Sequence, residues 1–338
     1  MAIEKIHFDQ PFELECGAVL PGVDIAYSTY GTRRGDNVIW VCHAQTANSD
    51  VPDWWAHTVE TGRFLDPEKY FIVCANILGS PYGTTCPASV NPATGEPWYG
   101  DFPLVTIRDM VRCHMLLAQA LKIDHVELLI GSSMGGYQCM EWAIMQPQFA
   151  RRVGLIATCD RQMPWGIAFG ESQRMAIRAD KSWGEHQADA AYWGLAAARS
   201  VAMLSFRGPE AFNLTQDDPD RESKLDEFRV CSYQRYNGEK LSKRFDAYSY
   251  VTLLNATDSH NVARGRGSVE QALGKIEARA LIVAITSDIL FPPHGHDNLV
   301  KYIKNNQYHL IESNYGHDGF LVENEKLNGI IQNFMGCY

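Results

Sequence analysis

The sequence predicts an α/β protein: a mostly parallel central sheet with helices on both faces, interrupted by an inserted helical cap. Short apolar runs, helical patterns between them and one long stretch without strands support this prediction. Continuously apolar runs of four to six residues indicate strands that are covered on both faces, as in parallel sheets. We therefore place the sheet and its helices in residues 1–161 and 275–338, and the cap in residues 162–274.

The individual elements follow from the local patterns. Strands are predicted at 38–42, 70–74, 126–130, 153–157, 280–285 and 308–311. Helical spacing of apolar residues predicts helices at 106–121, 134–145 and 324–335, and the first begins with a capping-box pattern at Thr106 and Asp109. The segment 13–30 is expected to form an antiparallel hairpin that leads into the sheet.

The stretch from 162 to 274 has a different character. It contains no buried-strand pattern, but Ala-, Trp- and Tyr-rich helical segments such as 188–205, separated by polar loops such as 216–220. The regular alternation of strands and helices on either side of it is typical of a doubly wound sheet. We expect the stretch to be an insertion between two strands of that sheet.

Composition narrows the classes of function. The 338 residues are 46% hydrophobic and carry a net charge of -10 without a basic stripe, which argues against a nucleic-acid partner. The first residues lack a signal-peptide pattern, and no apolar run approaches the roughly 18 residues of a membrane span. Nine cysteines without a C-x-x-C pair suggest reduced thiols and no metal site. We expect a cytoplasmic protein with no membrane partner.

The pattern G-x-S-x-G occurs at Gly131-Ser132-Ser133-Met134-Gly135, directly after a predicted strand and directly before a predicted helix. A serine on such a tight strand-to-helix turn is exposed at the carboxyl end of the sheet, and the glycines leave room for neighbouring backbone. The motif alone is a weak signal, but this placement predicts the α/β-hydrolase fold with Ser133 as the nucleophile.

A serine nucleophile of this kind needs an acid and a histidine, in that order along the chain. Asp288 follows the strand at 280–285, and His317 follows the strand at 308–311. Both should therefore lie at the same sheet edge as Ser133, with His317 as the base and Asp288 as its orienting acid. Asp318 is a rival acid, although an adjacent residue reaches its neighbour's ring with difficulty.

The oxyanion that forms during acyl transfer needs two N–H donors. One should be the backbone N–H of Met134, and the other the backbone N–H of Gln45, in the loop after the strand at 38–42. His43 in the same loop is predicted to fix the loop rather than to act as a base or a metal ligand.

The strand-to-helix turn that carries Ser133 is called the nucleophile elbow. Beyond this elbow, nearly the whole chain resembles the homoserine O-acetyltransferase family of α/β-hydrolase-fold acyltransferases. The matching stretches are His43-Ala44-x-Thr46, Asn76-Ile77-Leu78-Gly79, Tyr82-Gly83-Thr84-Thr85, Asn91-Pro92-Ala93-Thr94-Gly95, Asp101-Phe102-Pro103, Thr106-Ile107-Arg108-Asp109-Met110-Val111, Gln173-Arg174-Met175-Ala176-Ile177, Gly194-Leu195, Ala198-Arg199, Arg244-Phe245-Asp246-Ala247-x-Ser249-Tyr250 and Gly316-His317-Asp318.

The resemblance implies a ping-pong reaction in which Ser133 takes an acetyl group from acetyl-CoA and passes it to the hydroxyl of L-homoserine. It places Arg199 on the carboxylate of the amino-acid acceptor and Asp318 on its ammonium group. It further implies small-molecule substrates, no tightly bound cofactor and a homodimer. The chain departs from the family at Phe206, where a tyrosine is usual, and at Gln45, where a leucine is usual.

Other functions remain open on the sequence. An acetyl esterase on the same scaffold would use the same triad with water as the acceptor. Transfer of a succinyl group, or transfer to another amino-alcohol such as serine, would need only a few altered contacts. A non-catalytic binding protein of this fold would normally show a broken triad, whereas here the triad is complete in order and context.

Overall fold

A computed structural model describes residues 3–336. The strands are β1 Glu4–Phe8, β2 Phe12–Glu13, β3 Val19–Leu20, β4 Val23–Tyr30, β5 Val38–Cys42, β6 Phe71–Ala75, β7 Leu128–Ser132, β8 Arg152–Ile156, β9 Arg279–Ile285 and β10 Asn306–Ile311. The α-helices are α1 Val51–Trp54, α2 Ile107–Ala120, α3 Met134–Met145, α4 Pro164–Arg178, α5 Tyr192–Phe206, α6 Pro209–Gln216, α7 Arg229–Ser242, α8 Ala247–Asp258, α9 Val269–Leu273, α10 Asp297–Tyr302, α11 Gly319–Val322 and α12 Asn324–Met335.

Eight strands form the main sheet in the order β1-β4-β6-β5-β7-β8-β9-β10. Strand β4 pairs antiparallel with both of its neighbours, β1 and β6. The remaining pairs, which join β6, β5, β7, β8, β9 and β10 in that order, are all parallel. The predicted mostly parallel sheet is therefore confirmed. Because the strands from β6 onward run in one direction, the residues that follow them meet at one edge of the sheet.

Both faces of the central strands are covered, as the continuously apolar runs predicted, whereas the edge strand β10 exposes Tyr308 and Leu310 and is not covered in this way. All five residues of β5 are buried, and successive residues enter two different hydrophobic clusters. Trp40 belongs to the cluster that includes α2 and α3, whereas Ile39 belongs to the cluster that includes α12. This division follows from the two-residue period of a strand, which sends neighbouring side chains to opposite faces.

The hairpin predicted at 13–30 is wrong in its pairing. A small hairpin does form between the short strands β2 and β3, which begins at Phe12 and turns around Gly17 at φ +87°. The long strand β4 pairs instead with β1, which joins Phe8 to Val23. The sequence signal of β1 was weak because it is an exposed edge strand that carries charged residues.

Six helices, α4 to α9, lie between β8 and β9, and we call the first five, α4 to α8, the cap. Helix α9 comes after them and packs against α3 and α10. The predicted helices at 106–121, 134–145 and 324–335 correspond to α2, α3 and α12, and Thr106 and Asp109 form the expected capping box.

Between residues 3 and 336, no helix combines the length and the apolar character that crossing a membrane requires. The same part of the chain contains eight cysteines, all as free thiols. Six are buried, whereas Cys16 and Cys231 are exposed. Cys337 lies outside the described residues.

Candidate active site

Ser133 lies at the tight turn between β7 and α3. Its backbone has φ 56° and ψ -126°, which is unfavourable for a residue with a Cβ atom and persists only where surrounding contacts impose it. The Ser133 N–H donates to the Ile156 carbonyl at 3.0 Å. A Cβ atom on Gly135 would lie 2.1 Å from the carbonyl oxygen of Cys42, and one on Gly131 would lie 2.4 Å from the backbone of Gly135. The glycines of the motif are therefore required by close backbone packing.

Asp288 and His317 follow β9 and β10 and meet in a buried hydrogen bond. The Nδ1 atom of His317 lies 2.7 Å from Oδ2 of Asp288, and the two side chains are 4% and 0% exposed. The other carboxylate oxygen accepts the N–H groups of Leu290 and Phe291, each at 2.8 Å. Because both carboxylate oxygens are bonded, the carboxylate is fixed and holds the ring with Nδ1 toward Asp288. Nε2 is therefore the nitrogen that can exchange a proton.

The loop after β5 is held by His43. This side chain is fully buried, its Nδ1 atom donates to the Ala44 carbonyl at 2.8 Å, and its Nε2 atom accepts the Ile77 N–H at 3.2 Å. Burial lowers the pKa of His43 to about 4, so the ring is neutral at physiological pH. The Ala44 carbonyl belongs to the same peptide plane as the Gln45 N–H, so the bond that fixes one also fixes the direction of the other. His43 therefore has the loop-fixing geometry predicted for it.

One cavity of about 180 Å³ brings these groups together. Seven of the eight residues singled out in the sequence line it, and the eighth, Asp288, lies behind His317. The seven are Gln45, Ser133, Met134, Arg199, Phe206, His317 and Asp318. Ser133 and His317 are not hydrogen-bonded to each other; such contacts are often long in structures without substrate. Met134 begins α3, where the first N–H groups of a helix have no partner within it, so this N–H is free for an oxyanion.

The cap contributes charged groups to the same cavity. The Nη1 atom of Arg199 is buried and has no hydrogen-bond partner among residues 3–336, and its guanidinium carbon lies 5.0 Å from the ring centre of Phe206. An unpaired buried donor costs about 1–3 kcal/mol, which a carboxylate ligand would offset. Burial raises the pKa of Asp318. That carboxylate lies 3.2 Å from Nε of Arg207 and makes no bond to the ring of His317, so the rival acid is not the orienting one.

Comparison with known proteins places the chain in a family. The α/β hydrolase fold family matches residues 37–324. The homoserine O-acetyltransferase of Trichormus variabilis is 42% identical over 336 residues, which cover 98% of this chain and 93% of that enzyme. The chain belongs to the homoserine O-acetyltransferase family.

Solved structures agree with this placement. The homoserine O-acetyltransferase of Bacillus anthracis superposes with a TM-score of 0.87 at 25% identity, covering 99% of this chain and 98% of that one. The structure of esterase E22 has a TM-score of 0.88 at 24% identity, covering 99% and 100% of the two chains. The second likeness shows the shared fold alone.

Two features of this family member were not anticipated from the sequence. Arg207, which pairs with Asp318, follows Phe206 at the end of α5, and no local pattern distinguishes it from a surface arginine. The N–H groups of Leu290 and Phe291 fix Asp288 through backbone geometry, which side-chain patterns do not reveal. The departures at Phe206 and Gln45 both lie on the cavity wall, and the side-chain nitrogen of Gln45 is buried without a partner among the described residues.

Proposed function

We propose that this protein transfers an acetyl group from acetyl-CoA to the hydroxyl of L-homoserine through an acyl-enzyme at Ser133. The observation that carries the proposal is the shared cavity, in which Ser133 and His317 face an unpaired guanidinium nitrogen of Arg199 and the carboxylate of Asp318. A cation and an anion beside a nucleophile suit a zwitterionic amino acid, since one binds its carboxylate and the other its ammonium group.

In the first half-reaction, the hydroxyl of Ser133 attacks the thioester carbonyl and gives its proton to Nε2 of His317. The charge that develops on the carbonyl oxygen is stabilised by the N–H groups of Met134 and Gln45. The C–S bond then breaks, and the leaving thiolate takes the proton from His317. Asp288 holds the ring in the productive tautomer and stabilises its cationic form throughout.

In the second half-reaction, the hydroxyl of homoserine gives its proton to His317 and attacks the acetyl group on Ser133. The C–O bond to Ser133 breaks, and the serine oxygen recovers the proton from His317. Arg199 and Asp318 hold the amino-acid end of the acceptor, which makes its hydroxyl an effectively intramolecular nucleophile. This gain in proximity is what allows the acceptor to compete with water.

Thiol release from acetyl-CoA, measured with and without L-homoserine, tests the proposal. We expect release to depend on homoserine and to yield O-acetylhomoserine. The Ser133→Ala variant should lose at least about 10³-fold of this activity. Thiol release that is independent of homoserine and of any other amino-alcohol would show an esterase instead. Parallel assays with succinyl-CoA and with serine decide the acyl group and the acceptor, and faster turnover with either one would replace the corresponding substrate in the proposal.

A cytoplasmic location and a homodimer complete the proposal. The eight free thiols among the described residues support a reducing compartment. The cap surface carries exposed aromatic side chains at Trp165 and Trp193, which are 54% and 66% exposed. Residues of this kind are enriched in interfaces between subunits. Sedimentation equilibrium at micromolar protein concentration should give twice the chain mass, and a single-chain mass would exclude the dimer.

A further inference from the structure

Arg244 is an exposed residue of the cap that bonds a loop of the α/β core. It lies between α7 and α8, and its Nη1 atom donates to the Thr46 carbonyl at 2.8 Å and also contacts the Tyr82 hydroxyl. Its own N–H donates to the Leu241 carbonyl at 2.9 Å, which fixes its backbone at the end of α7. Arg244 lies in one of the stretches that carry the family resemblance, yet the reaction described above gives it no task.

The loop that receives this bond is the one that carries Gln45. Its other carbonyls are held either by helix α3 of the core or by groups within the loop itself. The His43 carbonyl accepts Nε2 of Gln138 at 3.2 Å, and the Ala44 carbonyl accepts the His43 ring at 2.8 Å and the Ala47 N–H at 3.0 Å. The Thr46 carbonyl, one residue beyond Gln45, is instead held from the cap. The position of the loop therefore depends on the position of the cap.

The cap helix next to Arg244 is also joined to the helix that carries Arg199. Helices α5 and α7 pack so closely that a Cβ atom on Gly238 would lie 2.5 Å from the Ala196 carbonyl oxygen. The Ser242 hydroxyl donates to the Tyr192 carbonyl, and the Gln234 amide donates to the Ser200 carbonyl, both at 3.0 Å. These bonds make α5 and α7 one unit.

We propose that Arg244 is a positioning residue that aligns the Gln45 N–H for the oxyanion by tying the loop at 43–47 to the cap. The inference rests on the proposed function, because it assumes that the Gln45 N–H serves an acyl-transfer step. Arg244 thus connects two parts of the site. Helices α5 and α7, which carry Arg199 for the acceptor, are joined through it to the loop at 43–47, whose Gln45 N–H stabilises charge on the acyl group. Arg244 itself takes no proton and forms no bond to the acyl group.

The test compares the rate of acyl-enzyme formation in Arg244→Ala, Arg244→Lys and wild type, using rapid-mixing kinetics with p-nitrophenyl acetate and with acetyl-CoA. Loss of an oxyanion donor itself typically costs about 10²–10³-fold, so a misaligned donor in Arg244→Ala should slow the limiting rate by about 10–100-fold. We expect half-saturation to stay unchanged, Arg244→Lys to be intermediate, and added guanidinium ion to restore part of the rate in Arg244→Ala. Lys243→Ala, an exposed neighbour, is the matched control and should behave as wild type.

Three results would overturn the inference. An unchanged limiting rate in Arg244→Ala would show that the tether does not matter. A higher half-saturation for acetyl-CoA at an unchanged limiting rate would show that Arg244 binds the donor. A slowed rate that guanidinium does not restore, together with a lowered unfolding temperature, would show a structural role only. If Arg244→Ala does not fold, Arg244→Lys decides, since it retains the charge but loses the planar fork. Failure of the proposed function is distinguishable, because wild type would then release no homoserine-dependent thiol, whereas the ester assay still measures alignment.

Discussion

At the scale of single residues, Asp288 shows how little freedom the site leaves. One carboxylate oxygen is taken by two backbone N–H groups and the other by His317. A buried carboxylate of this kind is compensated on both sides, and its orientation determines the tautomer of the histidine. The rate of acylation should therefore depend on the carboxylate group of this residue, and a side chain of the same size without that group should not replace it.

Asp288→Asn keeps the shape of the side chain but should lower acylation by about 10⁴-fold. The amide oxygen can still accept the N–H groups of Leu290 and Phe291, so the amide NH₂ must face the His317 ring. Nδ1 then has to accept, which moves the proton to Nε2 and prevents that nitrogen from acting as a base. Acyl-enzyme formation from p-nitrophenyl acetate measures this. A rate near that of wild type in a folded variant would contradict the assigned orientation.

Asp318 gives the acceptor step a pH dependence of its own. Burial raises the pKa of its carboxyl group, so the group loses its charge at a higher pH than an exposed aspartate does. The KM for homoserine should therefore rise as the pH falls through this raised pKa, because a neutral carboxyl group no longer attracts the ammonium group. Ester hydrolysis without an acceptor, measured over the same pH range, is the control. In Asp318→Asn the KM should be high and independent of pH, and retention of the wild-type profile would place the ammonium elsewhere.

At the scale of elements, the turn from β7 to α3 depends on glycine. The carbonyl of Cys42 fills the space where a side chain at Gly135 would lie, at 2.1 Å. A flexible side chain could move away from such a contact, but the carbonyl of a central strand is held by its neighbours in the sheet. The elbow thus requires glycine for packing, independently of any catalytic need.

Gly135→Ala should lower the free energy of unfolding by about 3 kcal/mol or more and remove the acylation activity. Gly329→Ala is a matched control, because Gly329 lies within α12 and a Cβ atom there meets nothing within 4 Å. Alanine favours the helix, so the control should stabilise the protein by up to about 1 kcal/mol. Denaturant unfolding of both variants measures the difference. Equal stability of the two would show that the close approach at Gly135 is easily relieved.

At the scale of the whole molecule, a network of ion pairs joins segments that are far apart in the chain. Glu15 pairs with Arg108 of α2 and with Arg264, each at 2.8 Å, and Glu141 of α3 pairs with Arg108 and Arg266 at 3.2 and 2.6 Å. The network therefore connects the N-terminal segment, two helices under the sheet and the loop that follows the cap.

Glu15 makes this network sensitive to acid. Burial alone would raise its pKa, but hydrogen bonds from Arg264 and Thr106 and the charge of Arg108 lower it to about 2, below the ordinary value of 4.5. A carboxylate with a lowered pKa contributes stability above its unfolded-state pKa and loses it as the pH falls toward the folded-state value. Between about pH 5 and 2, Glu15→Gln should therefore lose less stability than wild type does. Thermal unfolding across this range measures the effect, with exposed Glu13→Gln as the control, and parallel curves for Glu15→Gln and wild type would contradict it.

Much of the fold could be predicted because its signals are local. The strands from β5 to β9 are continuously or largely apolar, and the elbow is a short motif with fixed neighbours, so both can be found in the sequence. The pairing of β1 with β4 could not be predicted, because an exposed edge strand has little hydrophobic pattern and its partner is chosen by sheet geometry. The partners of Arg207 and Arg244 could not be predicted either, because the role of an arginine depends on the group that it contacts in the folded protein.

By itself, the sequence determined the class of fold and the family to which the chain belongs, and it predicted the order of nucleophile, acid and base. Tertiary structure decided which acid orients His317, which charges line the cavity and which part of the cap holds the loop at 43–47. These contacts join residues 29, 111 and 198 positions apart, for Asp288 with His317, Arg207 with Asp318 and Thr46 with Arg244. Local patterns reflect backbone preferences over a few residues, whereas partners at such separations are fixed only when the sheet and the cap have packed together.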